Sequence, residues 1–442
     1  MKREMQRGVI IKTLRREFAM RSTKVVLYLF VCLFLSMGIA IQAFADSAEV
    51  LPKGIFRAHV DTEFYFPIDK RFDKDGNTED VSRYFNATLN SNIFPELAPL
   101  DNIMGGPGSA IIGRTEVSFK YKDSDVMLGL EYGVTDRLTV GIFVPYWWQK
   151  TDVSEARLNT TNATVGKNPF FGTPGDPFGG APIIPLGLGG IPLTTEDIQD
   201  LLGGGLIING KIAVPGYGYK RVKTWSDNGL GDIEAGARYQ YFKNDNWRLA
   251  FTGGVRFPTG DVDDPDNLID LGFGSGTYTL LFRLNNDYTG IKNLVLNATI
   301  RYDLTLSDEE TKRVTSVQHP IVPETDKERV SRNIGDIVEL EGSGTYQFSE
   351  GWNVCLLYRY DFKTKKDDIS GDRNLDYSAL EDETDWTYHL ISAGVSYSTL
   401  PLFMAKKFPL PLIASIEYQN VFAGTNNFLK QHLFAIKLAA YF

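Results

Sequence analysis

The stretch Asn228 to Thr277 reads NGLGDIEAGARYQYFKNDNWRLAFTGGVRFPTGDVDDPDNLIDLGFGSGT, and the fold turns on it. Ile233, Ala235, Ala237, Tyr239 and Tyr241 fall on one face; Glu234, Gly236, Arg238 and Gln240 fall on the other. A side-chain period of two marks a strand. A polar turn, Lys243 to Asn246, follows. The next strand sets Trp247, Leu249, Phe251, Gly253, Val255 and Phe257 against Arg248, Ala250, Thr252, Gly254 and Arg256. Pro258, Thr259 and Gly260 stop it, and an acidic loop runs on to Asp270. One face is apolar with aromatics at its ends, and the other carries arginine and glutamate. A transmembrane barrel turns the first to lipid and the second to its lumen.

The start of the chain agrees with export. Met20-Arg21-Ser22-Thr23-Lys24 precedes an apolar run, Val25 to Ile41, and the small-residue triplet Ala43-Phe44-Ala45. This is the pattern of a secretory signal peptide over residues 1–45, cleaved after Ala45, with Met20 the more natural start and 1–19 a start-site artefact. Cys32 lies inside the apolar run, which argues against lipoprotein processing, and Cys355 is then the one cysteine left. The formal net charge is −9, and removing the basic leader makes the remainder more acidic, which excludes nucleic acid as a partner. The chain is rich in Gly (42), Phe (28) and Tyr (21), and no run after Ala45 approaches the ~20 apolar residues of a membrane helix.

The same alternation recurs along the chain. Gly54 to Phe66 is the first strand, and a loop from Pro67 to about Gly113 leads to a second that ends in Leu130 and Tyr132. Leu138, Val140, Ile142, Val144, Tyr146 and Trp148 form an outward stripe with an aromatic end, as at a membrane interface. Residues 150–227 are a Gly/Pro-rich insertion, extracellular or folded into the lumen, with one helix expected after Thr194 or Thr195. Further strands are expected at Tyr278–Leu284, Leu294–Leu304, about Asn333–Phe348, Trp352–Phe362, Trp386–Ser398, Leu412–Tyr418 and Phe434–Phe442, the facing of 386–398 being ambiguous. About twelve strands result, an even number with both termini in the periplasm. The expected class is all-β: an antiparallel transmembrane β-barrel of about twelve strands with long extracellular loops, over residues 46–442.

Four segments carry a family resemblance: LPKGIFRAHVDTEFYF, LEYGVTDRLTVGIFVPY, NGLGDIEAGARYQYF and VRFPTGDVDDPDNLIDLGFGSGT. They resemble the outer-membrane family named for a phenol meta-cleavage pathway, often called transporter-like. The resemblance implies a barrel in the bacterial outer membrane and passage of small hydrophobic or aromatic molecules. It supplies no catalytic or binding residues and no cofactor.

The expected lumen lining is Arg57, Asp61, Glu63, Glu131, Glu234, Arg238, Arg248, Arg256, Arg283, Arg301, Asp303, Glu339, Glu341, Arg359, Asp361, Lys363, Glu417 and Lys437. Such a set either braces a narrow interior by ion pairing or forms a selectivity zone, arginines on one wall and acids on another. Asp261, Asp263, Asp264, Asp266 and Asp270 offer hard oxygens for Ca²⁺, but without the full EF-hand pattern, and capped turns are the simpler reading, so no metal is assigned. His59, His319, His389 and His432 lie in no hydrolase motif, so no enzyme is expected. The terminal Phe442 on an alternating strand resembles the signal read by the barrel assembly machinery. The expected partners are that machinery, outer-membrane lipid and lipopolysaccharide, and a small-molecule solute. The alternative is a structural barrel that docks a periplasmic or extracellular partner without selective uptake.

Overall fold

A computed structural model describes residues 46–316, 320–373 and 375–442. The expected leader and His319 lie outside the described residues.

Twelve antiparallel strands close on themselves. They are β1 (Phe56–Tyr65), β2 (Gly113–Thr135), β3 (Leu138–Asn159), β4 (Ile233–Lys243), β5 (Trp247–Phe257), β6 (Thr279–Ile291), β7 (Leu294–Thr305), β8 (Ile337–Ser349), β9 (Trp352–Lys363), β10 (Thr387–Ser398), β11 (Leu412–Gly424) and β12 (His432–Tyr441). Each pairs with its neighbour in sequence, and β1 closes the ring by pairing with both β2 and β12: Arg57 stands opposite Glu131 on one side and Tyr441 on the other. Closure leaves no strand edge unpaired in hydrocarbon, where each unmade backbone hydrogen bond costs several kcal/mol.

The two faces sort by chemistry as the alternation predicts. Ile142, Leu284, Ile300, Leu340, Ile391, Ile416 and Ile436 are exposed on the outside, while Asp287, Asn285, Thr299, Glu339 and Glu417 are buried inside. A soluble protein would not leave so continuous an apolar band bare; a bilayer covers it. Aromatic pairs rim it, such as Trp247 with Tyr288 and Trp352 with Tyr397, each pair at 4.8 Å. The barrel therefore belongs in the bacterial outer membrane. Its tight connections, 136–137, 244–246, 292–293 and 350–351, lie at the end that holds both ends of the sheet, and 399–411 joins them there with a short helix, Leu400–Met404.

Several boundaries differ from the expectation. β3 does not stop near Lys150 but continues to Asn159, and Trp225–Leu230 returns along it, Trp225 opposite Thr151. The insertion proper thus begins at residue 160. Strands β2 and β3 are 23 and 22 residues long, about twice the ~9–11 that cross a membrane. Their upper halves rise beyond the apolar band and pack in part against the loops, Phe119 on Phe85 and Leu158 on the lid core, so the regular apolar stripe fades although the pairing persists. β8 begins at Ile337 rather than Asn333; Lys327–Asn333 instead belongs to a three-stranded extracellular sheet with Asp308–Arg313 and Asp368–Ser370. A bulge after Gln240 puts Phe242 on the outer face together with Tyr241. A second bulge lies on β11, where Phe422 is the extra residue between the pairs His389–Ala423 and Leu390–Val421; β10 itself alternates without a break, Leu390, Ser392 and Ser396 pointing inward, Ile391 and Val395 outward.

The insertion is not devoid of regular structure. Val165–Lys167 pairs with Ile183–Pro185, and Gly205–Ile208 with Lys211–Pro215. The expected helix is α2 (Thr195–Leu202), capped by Thr194, whose Oγ1 accepts from the Asp197 amide while Asp197 accepts from the Thr194 amide. Ile198 and Leu201 pack with Val165, Ile183, Leu193 and Leu206, and with Phe94 and Leu97 beside helix α1 (Ala98–Met104) of the first loop. Two extracellular loops thus share one apolar core, a lid outside the barrel.

Candidate functional site

The lumen is where function can reside, and its charged faces follow from strand parity. From β4 to β9 the expected arginines point inward and meet acids of the wall or of the segment ahead of β1. Arg256 pairs with Glu234 at 2.7 Å and Asp303 at 3.1 Å; Arg301 pairs with Glu339 at 3.0 Å; Arg359 pairs with Glu341 at 2.8 Å and Glu339 at 3.6 Å. Asp361 sits buried opposite Glu339, and Lys363 pairs with Asp367 nearer the extracellular mouth. Positive and negative groups alternate on this wall, so arginines are not segregated from acids there. Removing charges from water is expensive, and the interleaving supplies each a partner.

The wall also holds a ligand from the same chain. Asp46 to Leu51, ahead of β1, runs inside the barrel. The Asp46 carboxylate meets Arg238 at 2.5 Å and Arg283 at 3.0 Å, with Arg301 at 3.8 Å. Its carbonyl accepts from Asn285 at 2.7 Å, Thr299 at 2.9 Å and Asn297 at 3.2 Å. Asp287 accepts from the Ser47 hydroxyl at 2.8 Å and the Ala48 amide at 3.1 Å, and Arg248 joins Asp287 and Glu49. Gln240 donates to the Ala48 carbonyl at 2.8 Å, and the Leu51 amide donates to Thr139 at 2.8 Å. At the root, Gly133 leaves room: a Cβ there would lie 2.1 Å from the Pro52 carbonyl oxygen. The segment is thus a plug of a few residues. Asp46 directly follows the expected leader cleavage site.

The other wall, β1, β2, β11 and β12, is different. Arg57 pairs with Glu131, and Lys437 with Glu417 at 3.0 Å. His59 lies 3.4 Å from Asp61 and against the Phe143 ring. Above them Glu63, Asp125 and Asp123 follow. Strand parity could have found the last two, since counting back from Glu131 by twos reaches both; reading only the end of β2 missed them.

Between plug and wall a cavity of about 830 Å³ opens at the periplasmic end. Arg57, Asp61, Glu131 and Lys437 give its lining charge, and Val50, Leu51, Ile55, Phe143, Leu400, Phe403 and Ile413 give it apolar surface.

The acidic loop does not gather its carboxylates. Asp263 pairs with Lys312, Asp264 with Lys220 at 2.6 Å, and Asp266 with Arg313 at 2.6 Å and Lys327 at 2.5 Å, while Asp270 accepts from the Asp264 amide. Burial would raise Asp264, but the Lys220 ammonium holds its carboxyl below the ordinary range. These aspartates lace the loop to cationic side chains of its neighbours. His389 stacks on Tyr360 at 4.6 Å and hydrogen-bonds Tyr358, and His432 stacks on Phe66, both on the outer aromatic rim.

The model of a family described as "Putative MetA-pathway of phenol degradation" matches residues 186–430, over half of the chain. The chain belongs to this family. Among solved structures, an outer-membrane channel from Pseudomonas putida F1 superposes with a TM-score of 0.50 at 11% identity, covering 91% of this chain and 100% of that one. The likeness is one of fold. Two others share a barrel but superpose too loosely to carry an argument. The translocator domain of autotransporter NalP from Neisseria meningitidis has a TM-score of 0.36 and 9% identity over 88% of this chain and 89% of that one. A TodX monoaromatic hydrocarbon channel mutant has a TM-score of 0.35 and 12% identity over 91% and 95%. No curated protein matches the sequence.

Proposed function

We propose that this family member is a passive outer-membrane channel for small hydrophobic or aromatic molecules. The observation that carries the reading is the chamber beside the plug, whose lining is both apolar and charged. Its volume, about 830 Å³, lies within the range of small-molecule sites. Leu51, Ile55, Phe143 and Phe403 give an apolar solute somewhere to leave water, and the Arg57–Glu131 pair gives a hydroxyl or carbonyl a hydrogen-bonding edge. A plug held by side-chain contacts, without a folded domain, can be displaced and re-seated. The family description points to phenol degradation and so to monoaromatic solutes of this size. The activity is transport, with no bond made or broken.

The test is uptake of a labelled monoaromatic compound at low concentration by cells lacking the gene. Uptake falls in the deletion strain and returns with the wild-type gene. Equal uptake with and without the protein defeats the proposal. The second reading, a barrel that docks a partner without uptake, draws on the lid, whose folded core offers a shaped extracellular surface. A purified barrel that passes no current in planar bilayers favours that reading over the channel.

A further inference from the structure

One face of the lumen carries acids that the rest of the barrel does not balance. β1 turns Asp61 and Glu63 inward, and β2 turns Asp123 and Asp125 inward. Glu63 stands directly opposite Asp125 in the register, and Asp123 opposite Gln149. Like charges directly across a strand pair destabilise it, so something must offset the juxtaposition. The nearest cation on the adjoining strand, Lys437 opposite Asp61, is engaged by Glu417 at 3.0 Å. Among the described residues Glu63 receives only a hydroxyl, that of Tyr65 at 2.8 Å. Asp125 and Gln149 are 6% and 9% exposed. Asp125 Oδ1, Asp123 Oδ1 and Gln149 Oε1 accept no hydrogen bond among the described residues. Gln149 matters because it is neutral: its carbonyl oxygen lacks a donor although no charge is involved, since the acids around it offer none. Buried acceptors without donors are costly unless a mobile positive group visits them.

We propose that this column is a cation path. Monovalent cations pass beside the plug along β1 and β2, resting in turn near Asp61, between Glu63 and Asp125, and beside Asp123 and Gln149. The route is continuous from below, because Asp61 also lines the periplasmic chamber. It stays clear of the plug, whose Asp46 is bound on β4, β6 and β7 of the opposite wall. The oxygens are strung along the wall and do not converge; among the described residues no group of three or more acidic, histidine or cysteine side chains could hold a metal ion. Such spacing suits weak, successive binding, which conduction needs, better than capture.

The experiment is the reversal potential of the wild-type barrel in a planar bilayer under a potassium chloride gradient, which gives the potassium-to-chloride permeability ratio. The expected result is a clear cation preference. Glu63→Gln with Asp125→Asn lowers the ratio by about threefold or more, because two fixed charges leave a low-dielectric passage. The control Asp80→Asn, which changes an exposed loop charge paired with Lys70, leaves the ratio unchanged. Heat-modifiable mobility confirms folding; if the double variant fails to fold, the single Asp123→Asn is measured and carries the same expectation in smaller degree. A wild-type barrel that prefers chloride, shows no preference or carries no current overturns the proposal. So does an unchanged ratio in the folded variants, which means the acids hold protons rather than cations. Solute uptake is a separate readout, so either result stands whatever becomes of the transport reading.

Discussion

Asp46 shows what strand parity can and cannot reveal. The period of two brings Arg238, Arg283 and Arg301 to the lumen from sequence alone. It says nothing of the residue they hold, because the segment ahead of β1 has no alternation and its partners lie 192 and 237 residues away. Its side chain is 13% exposed, and stripping one partner from a buried ionic cluster costs about 3–5 kcal/mol. Asp46→Ala leaves three arginines without their common carboxylate and frees the plug part of the time. The expected outcome is a larger single-channel conductance with open–closed flicker. Gly133→Ala reaches the same end from the root, since its Cβ would press on the Pro52 carbonyl. If both variants fold and conduct as the wild type does, the segment is not what narrows the lumen.

The lid is legible in the sequence only in part. The helix announced itself at Thr194, because a capping box is local chemistry. The short strands around it did not, because Val165, Ile183 and Leu206 find their partners across glycines, prolines and a separate loop. Replacing Phe170 to Leu193 by a short Gly/Ser linker removes Ile183 and Leu193 from the shared core. The barrel should remain heat-modifiable, since loop closure entropy changes slowly with length and no barrel strand is touched. The remaining lid should open, and protease should then cut within residues 67–112. A resistant first loop in the folded variant means that the two loops do not depend on one core.

Acid should loosen the same element, with a definite sign. Burial would raise Asp197, but its bonds from Lys167 and Thr194 bring it below its ordinary value, and Lys220 does the same for Asp264. A depressed carboxylate contributes stability above the unfolded pKa, near 4, and loses it as the pH falls through the folded value. Asp270 runs the other way: burial and then the nearby Asp263 and Asp264 raise it, so protonation relieves it and offsets part of the loss. Cleavage of the lid should be as slow at pH 5 as at pH 7 and accelerate below about pH 4. Acceleration already between 7 and 5 means that other groups govern the lid.

For the whole molecule, even strand number and alternating short and long connections fix which end faces out. Cysteine placed at Asn244 lies in a tight turn and at Asp263 in a long loop, while Cys355 is buried in the wall. An impermeant thiol reagent on intact cells should label the second site and not the first. Labelling of the Asn244 site alone inverts the arrangement.

The closing strand carries the remaining prediction. Phe442 is 64% exposed, so its side chain contributes little to the core. Its backbone exchanges hydrogen bonds with Phe56 at 2.8 and 3.1 Å, and its ring stacks on Phe56 at 5.7 Å, at the seam where β12 meets β1. Phe442→Asp keeps the backbone bonds and loses the ring, placing a charge at the membrane interface. Two causes then predict the same loss of barrel in cells: a weaker seam, or a terminus the assembly machinery no longer reads. Refolding purified chains into detergent micelles separates them, since no machinery is present. A variant scarce in the outer membrane that refolds to wild-type yield in micelles assigns the residue to recognition. Low yield in both assigns it to the seam, and wild-type amounts in cells mean that the terminal aromatic serves neither.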